Sequence, residues 1–99
     1  MKFLVLSKPI PGLPMPEDPV AFFKESTAYL DALLSDGTAD CVYLTPDGGG
    51  MAVMNVASHE ELWEKVDAFP GTRYLKHTFY PLLSHSHYYR TLESRFGKM

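Results

Sequence analysis

Hydrophobic positions along the chain alternate between strand-like and helix-like spacing. Lys2 to Lys8 is a short apolar run of the kind found in a strand covered on both faces. From Glu17 to Ser35, apolar residues recur every three or four positions, which predicts an amphipathic helix. Gly37 stands where a glycine commonly ends such a helix. The first third of the chain therefore predicts a strand followed by a helix.

The next segment predicts a β-hairpin. Thr38 to Thr45 and Gly50 to Val56 have the composition of strands, and Pro46 to Gly49 between them contains an Asp-Gly turn signal. A two-residue turn would place Asp40 opposite Asn55 across the ladder. A three-residue turn would undo that pairing, and the extra glycines keep both alternatives open.

A capping box marks the start of a second helix. Ser58 followed by Glu61 can satisfy free amides at a helix N-terminus. Tyr74 to Leu83 then predicts a fourth strand. The order β-α-β-β-α-β predicts an α+β, ferredoxin-like fold, with a four-stranded antiparallel sheet and both helices on one face. We expect a single domain, with residues 1–83 as its core and residues 84–99 as a C-terminal helical arm.

The predicted strands have apolar residues on both of their faces, including the face of the sheet that the two helices do not cover. Phe3 and Val5 alternate with Leu4 and Leu6, whereas a face in contact with water would have polar residues at every second position. Pairing the sheets of two copies is the simplest way to cover such a face. We expect a homodimer, or a larger ring of dimers, formed through the open sheet face and the C-terminal arm.

Composition narrows the class of protein. The chain has 99 residues, a net charge of -3 and nine scattered Lys and Arg residues, so we expect no nucleic-acid partner. One cysteine allows no internal disulfide, which favours a reducing compartment. No apolar stretch approaches the roughly 20 residues that a membrane helix requires. We expect a cytoplasmic protein with no membrane partner.

The hairpin and second helix also carry a family pattern. GGGMAVMNVASHEELWEKV, from Gly48 to Val66, combines a small residue, an apolar–Val–x–Asn–Val strand and a Ser-capped helix. Further matching positions are Ser35–Thr38, Phe69-Pro70, Tyr74-Leu75 and Pro81–Leu83. Together they resemble the muconolactone isomerase family of the dimeric α+β barrel superfamily, over roughly residues 1–83.

The resemblance implies an enzyme that moves a double bond in a small unsaturated lactone, by proton abstraction and return, without metal or organic cofactor. The wider superfamily also contains cofactor-independent oxygenases, polyketide cyclases and dehalogenases. An oxygenase or polyketide-type cyclase is therefore one alternative, and a non-catalytic binding or accessory protein is another. For any of the catalytic alternatives we expect a small lactone or aromatic-derived substrate.

The catalytic candidates surround the cavity expected between the helices and the sheet. His77 titrates near neutrality, so it is the main candidate for a general acid or base. A hydrogen-bonded core or interface histidine is the alternative. Ser26, on the apolar stripe of the first helix, could assist or could bond back to a carbonyl one turn earlier. The resemblance implies acidic side chains in this part of the helix, where the nearest acid here is Glu25.

The candidates for substrate binding are Tyr43, Asn55, Asp40, Tyr80 and His85. Asp40 beside Asn55 could bind a carbonyl, or could be a structural polar pair between dimer halves. Tyr43 could line a cavity or the core, and it needs a hydrogen-bond partner if it is buried. Tyr80 supplies a hydroxyl on the face of its strand opposite to that of the neighbouring histidine.

The segment SHSHYY, Ser84 to Tyr89, places His85 and His87 two residues apart. Two imidazoles can begin a metal site, but a structural zinc ion takes four ligands and no motif supplies the others. We expect no metal. The spacing of His85, Tyr88 and Tyr89 predicts a short amphipathic helix, which is marginal unless it docks. We therefore expect either histidine of this arm to close a cavity of its own chain or of a neighbouring one.

Overall fold

The computed structural model describes residues 1–97, and its elements follow the predicted order. They are β1 (Lys2–Pro9), α1 (Pro19–Ser35), β2 (Ala39–Leu44), β3 (Gly50–Asn55), α2 (His59–Asp67), β4 (Leu75–Leu82) and α3 (His85–Phe96). A 3-10 turn at Thr72–Tyr74 precedes β4. The last two residues of the predicted arm lie outside the described residues.

The four strands form one antiparallel sheet in the order β2-β3-β1-β4. β1 is central and pairs with both β3 and β4. The two crossover helices, α1 and α2, pack their buried side chains against the same face of this sheet. The chain therefore has the α+β, ferredoxin-like fold that its hydrophobic pattern predicts.

The core fills one half of the layer between the sheet and the helices. Phe3 and Val5 from β1 meet Leu33 from α1 and Leu62 and Val66 from α2. The remaining core residues are Ala39, Met54 and Val56. All of the core side chains on β1 belong to its N-terminal half, so the C-terminal half of β1 faces space that the core does not occupy.

Both crossover helices begin with a side-chain cap, and α1 begins at Pro19 rather than at the predicted Glu17. The Asp18 side chain accepts a hydrogen bond from the Ala21 amide at 3.1 Å at the start of α1. The Ser58 hydroxyl accepts one from the Glu61 amide at 3.1 Å, which confirms the capping box of α2. Gly37 follows α1 at φ +81°, a left-handed conformation that glycine adopts without steric cost.

The hairpin between β2 and β3 uses the three-residue turn. The Gly48 amide donates to the Thr45 carbonyl at 3.0 Å, and the Thr45 amide donates to the Gly49 carbonyl at 2.9 Å. Gly48 has φ +92°, the left-handed conformation that such a loop requires at its last position. The two-residue alternative is therefore not the one adopted.

Asp40 and Asn55 are not partners in the ladder, as expected for a three-residue turn. The ladder between β2 and β3 is irregular between Ala39 and Cys41, so Asp40 is the extra residue of a bulge. The Asn55 side-chain amide consequently donates to the Asp40 carboxylate at 2.5 Å. Asp40 and Asn55 are thus in side-chain contact without being paired across the ladder.

The second face of the sheet is apolar over much of its area and has no covering element within residues 1–97. The side chains on this face alternate along each strand with those that point into the core. Among them Leu6 is 37% exposed, Tyr80 46% and Tyr43 69%. These are large apolar surfaces to leave in water, and they agree with the sequence pattern that predicts a covered face.

The C-terminal arm is helical, as predicted, and extends away from the core. The Ser84 hydroxyl caps α3 by accepting from the His87 amide at 3.2 Å, and no described side chain of α3 is buried. The radius of gyration is 16.8 Å, above the about 13 Å of a compact domain of this length. None of the described helices is long and apolar enough to cross a bilayer.

Candidate active site

A cavity of about 540 Å³ occupies the part of the layer that the core leaves free. Its walls are largely apolar, with side chains from α1, from the sheet and from the proline-rich connection after β1. Its polar or titratable lining residues include Ser7, Ser26, Tyr29, Lys65 and His77. A cavity of this size and character suits a small flat ligand.

His77 lies in the cavity wall with a hydroxyl on each side of its ring. The Ser7 Oγ is 2.7 Å from Nδ1, and the Thr72 Oγ1 is 2.9 Å from Nε2. Ser7 and His77 are directly paired across β1 and β4, and Thr72 comes from the 3-10 turn before β4. A neutral imidazole carries one N–H, so one hydroxyl donates to the ring and the other accepts from it.

The surroundings of His77 favour its neutral form. Burial lowers the pKa of His77 below its ordinary value of 6.5, because the cavity wall solvates an imidazolium less well than water does. At neutral pH one ring nitrogen therefore carries no proton, and this nitrogen accepts a hydrogen bond from one of the two flanking hydroxyls. Among the described residues that line the cavity, none carries a carboxylate. His77 is the titratable group best suited to act as a base there.

Ser26 supplies an unused hydroxyl at the same cavity. Its Oγ is buried and has no hydrogen-bond partner among the described residues. The back-bond to a carbonyl one turn earlier is therefore absent. A buried hydroxyl without a partner costs free energy that a ligand oxygen could recover.

Tyr29 is a second hydroxyl at the cavity wall, and it is already engaged. Its hydroxyl donates to the Lys65 carbonyl at 2.5 Å and so joins α1 to α2. Burial raises the pKa of the Tyr29 phenol, and the nearby Asp36 charge raises it further. Tyr29 thus braces the helices and stays protonated.

Four of the predicted substrate-binding residues lie on the open face of the sheet. Tyr43 and Tyr80 are exposed there, on the side of the sheet away from the cavity. Asp40 accepts from Lys2 and from Asn55 at the edge of that face. The hydrogen bonds from Lys2 and then Asn55 hold the pKa of Asp40 below its usual range. Within one chain these residues do not meet His77 or Ser26.

Two further candidates also lie away from the cavity. Glu25 is exposed on α1 and is not part of the cavity wall. His85 is exposed in the first turn of α3 and does not reach the cavity of its own chain. Within residues 1–97, no three His, Cys, Asp or Glu side chains are grouped as metal ligands would be.

Ser7 and Thr72 are the site residues that the sequence analysis missed. Ser7 follows Phe3 and Val5 at alternate positions of β1, so it lies on the buried face of that strand. A polar residue at such a position could have been recognised in the sequence as a site candidate. Thr72 precedes His77 by five residues but comes from the turn before β4, and no periodicity marks it.

The fold and this cavity define a small ferredoxin-like α+β protein with an apolar site built around one histidine. No model of a protein family matches the chain, and a search of curated proteins finds no match. Among solved structures, the chain is similar to 5-chloro-2-hydroxyhydroquinone dehydrochlorinase from Burkholderia phenoliruptrix AC1100, in complex with 2,5-dihydroxybenzoquinone. The TM-score is 0.68 at 20% identity, over 88% of this chain and 98% of that one. This similarity confirms the fold and leaves the muconolactone isomerase family a prediction.

Proposed function

We propose that the protein is a cofactor-independent enzyme that transfers a proton on a small, flat, cyclic substrate. The observation that carries the proposal is His77, held neutral in the wall of an apolar cavity whose described lining includes no carboxylate. A base of this kind is poised to abstract a proton at neutral pH. Muconolactone-like butenolides, which the sequence resemblance suggests, are of the size and shape that the cavity accommodates.

The isomerisation would proceed in two proton transfers. In the first, the Ser7 hydroxyl gives up its hydrogen bond to Nδ1, and this nitrogen of His77 removes a proton from a ring carbon. The bonding electrons delocalise toward the lactone carbonyl to form a dienolate. In the second, the resulting imidazolium returns the proton to a different carbon, and the double bond has moved. The unpartnered Ser26 hydroxyl is the candidate donor to the carbonyl oxygen as negative charge develops on it.

Elimination of HCl from a chlorinated hydroxyhydroquinone is a second candidate, because the solved structure of similar fold is a dehydrochlorinase. The same base would remove a proton while chloride leaves the ring. Both reactions need a flat cavity, a base near neutrality and a hydrogen-bond donor to an oxygen. They differ in whether an ion leaves, so one set of substrates separates them.

The test is turnover of a substrate panel followed by proton NMR and chloride release. The panel contains muconolactone, simpler butenolides and chlorinated hydroxyhydroquinones. We expect one class to react, and His77→Gln to lower its rate by about 10²- to 10⁴-fold, the usual contribution of general acid–base catalysis. Tyr80→Phe, on the same strand but on the open face, is the matched control and should keep the wild-type rate. No turnover across the panel, or an unchanged rate in His77→Gln, would contradict the proposal.

We also propose that the open face of the sheet pairs with a second copy of the chain. The support is the apolar surface formed by Leu6, Tyr43 and Tyr80, together with an arm, α3, that has no buried side chain in the described chain. A two-fold dimer would cover both sheets at once. Light scattering should give at least twice the 11.1 kDa chain mass, and a mass of one chain at micromolar concentration would contradict pairing.

A further inference from the structure

Both nitrogens of the His77 ring are already occupied by hydroxyls. Nδ1 is 2.7 Å from the Ser7 Oγ, and Nε2 is 2.9 Å from the Thr72 Oγ1. Ser7 lines the cavity together with His77, whereas Thr72 is not part of the cavity wall. A molecule in the cavity that approaches Nδ1 therefore meets the Ser7 hydroxyl first.

This arrangement has the geometry of an activated serine. A nucleophilic hydroxyl needs a base within hydrogen-bond reach and a further group that orients the base. When the Thr72 hydroxyl accepts from Nε2–H, Nδ1 is unprotonated and the Ser7 hydroxyl donates to it. In that tautomer Thr72 is a positioning residue that orients the His77 ring, without adding charge.

Local packing holds these groups in place. Ser7 and His77 are opposite one another on adjacent paired strands, so two hydrogen-bonded backbones fix their separation. The His77 ring also packs beside Phe79, with ring centroids 6.2 Å apart. The Ser7 hydroxyl has no other hydrogen-bond partner among residues 1–97, so activation by His77 competes with no second contact.

We propose that Ser7 is a nucleophile activated by His77, and that it gives the protein a second activity: hydrolysis of small apolar esters and lactones. This inference goes beyond the proton transfer proposed above and does not require it, because reactivity at Ser7 can be measured without turnover of the proposed substrates.

The chemistry balances with water as the co-reactant. The Ser7 Oγ forms a bond to the ester carbonyl carbon while its proton passes to Nδ1. The carbon–oxygen bond to the leaving group breaks, and the leaving oxygen takes the proton from the imidazolium. Water then attacks the acyl-serine, again giving a proton to His77, and releases the carboxylic acid as the Oγ recovers its proton. A lactone follows the same steps, with its leaving hydroxyl still attached to the product.

A fluorophosphonate ester is the probe that tests the nucleophile directly. The Ser7 Oγ would form a bond to phosphorus, fluoride would leave, and the adduct would be stable enough for intact-mass measurement. We expect a single adduct per chain, mapped by peptide sequencing to Ser7. His77→Gln should slow its formation by at least about 100-fold, the lower end of general-base catalysis. Thr78→Ala, which removes a hydroxyl beside His77 on the open face of β4, should leave the labelling rate unchanged.

Thr72 gives a further readout that a purely structural role would not produce. Thr72→Val removes the hydroxyl at nearly constant shape and should slow labelling by about tenfold, the rate equivalent of one hydrogen bond. Thr72→Ser restores the hydroxyl and should recover the wild-type rate.

A cysteine variant keeps the inference testable if Ser7→Ala or His77→Gln folds poorly. In Ser7→Cys, iodoacetamide should alkylate the new thiol at pH values well below the ordinary cysteine pKa of about 8.5, because His77 accepts its proton. In urea-unfolded Ser7→Cys, where the thiol no longer meets His77, that alkylation should return to the ordinary pH range.

The inference is overturned if Ser7 labels no faster than serines of the urea-unfolded chain, or if His77→Gln leaves the labelling rate unchanged. Labelling of Ser7 without double-bond migration in the lactones or chloride release from the hydroxyhydroquinones would uphold the nucleophile and refute the proton-transfer function. Double-bond migration or chloride release without labelling would uphold the proton-transfer function and refute the nucleophile.

Discussion

Removing the Ser7 hydroxyl tests how far the cavity depends on hydrogen bonds to His77. The bond is 2.7 Å long and joins two strands that are paired at this position. A neutral hydrogen bond contributes about 0.5–1.5 kcal/mol net, and an unpaired buried group costs about 1–3 kcal/mol. Because both side chains are only partly buried, we expect Ser7→Ala to lower the free energy of unfolding by about 1–2 kcal/mol.

A double-mutant cycle isolates the contribution of this pair. With His77→Phe as background, the Ser7 hydroxyl has no ring nitrogen to bond, so Ser7→Ala should cost much less than in the wild type. We expect a coupling energy of about 1 kcal/mol. Thr78→Ala, beside His77 but on the open face, should be additive with Ser7→Ala to within about 0.5 kcal/mol.

Urea denaturation followed by far-ultraviolet circular dichroism is the appropriate assay, at one fixed protein concentration. The fixed concentration matters because association of chains adds to the apparent stability. A coupling energy below about 0.3 kcal/mol would refute the reasoning, since Ser7 and His77 would then be neighbours without a stabilising interaction.

Three other predictions concern pH, capping and the open face. Burial lowers the pKa of His77 in the folded state, so the unfolded chain takes up a proton more readily. The free energy of unfolding should therefore fall as pH drops below about 6.5 and level off below the folded pKa. Urea titrations at a series of pH values should show this dependence in wild type and lack it in His77→Gln. Ser58→Ala removes the cap of α2 and should cost about 1 kcal/mol by the same urea assay, whereas Ser58→Asp should retain most of the stability. Val53→Glu puts a charge on the open face and should reduce the light-scattering mass to one chain without loss of helical signal; an unchanged mass would place the interface elsewhere.

The fold could be predicted from the sequence because each helix, strand and turn has a recognisable pattern in its own residues. Helical spacing, the Ser58 cap and the Asp-Gly turn are encoded within a few neighbouring residues, and the structure confirms each of them. The bulge at Asp40 was not predictable, because it depends on how β2 fits the core around Ala39 as well as on the turn. Local sequence sets the elements, and packing adjusts their register.

The site was only partly predictable, because a cavity combines residues that are distant in the chain. Ser26 and His77 were identified as polar residues on apolar faces, and both line the cavity. Ser7 and His77 are 70 positions apart, and only the register between β1 and β4 makes them neighbours. Tyr43 was ambiguous for a related reason. The bulge at Asp40 puts Tyr43 on the opposite side of the sheet from Ala39, whereas a regular strand would put both on the same side.

Solvent deuterium incorporation tests the central claim most directly, namely that His77 transfers protons to and from a ligand in the cavity. Muconolactone and a hydroxyhydroquinone would each be incubated in deuterated water with wild type or His77→Gln, and ring-proton signals followed by NMR. With wild type we expect protein-dependent exchange of a ring proton, and this exchange should be lost in His77→Gln. Equal exchange with both proteins, or none with either, would contradict His77 as the base of this cavity.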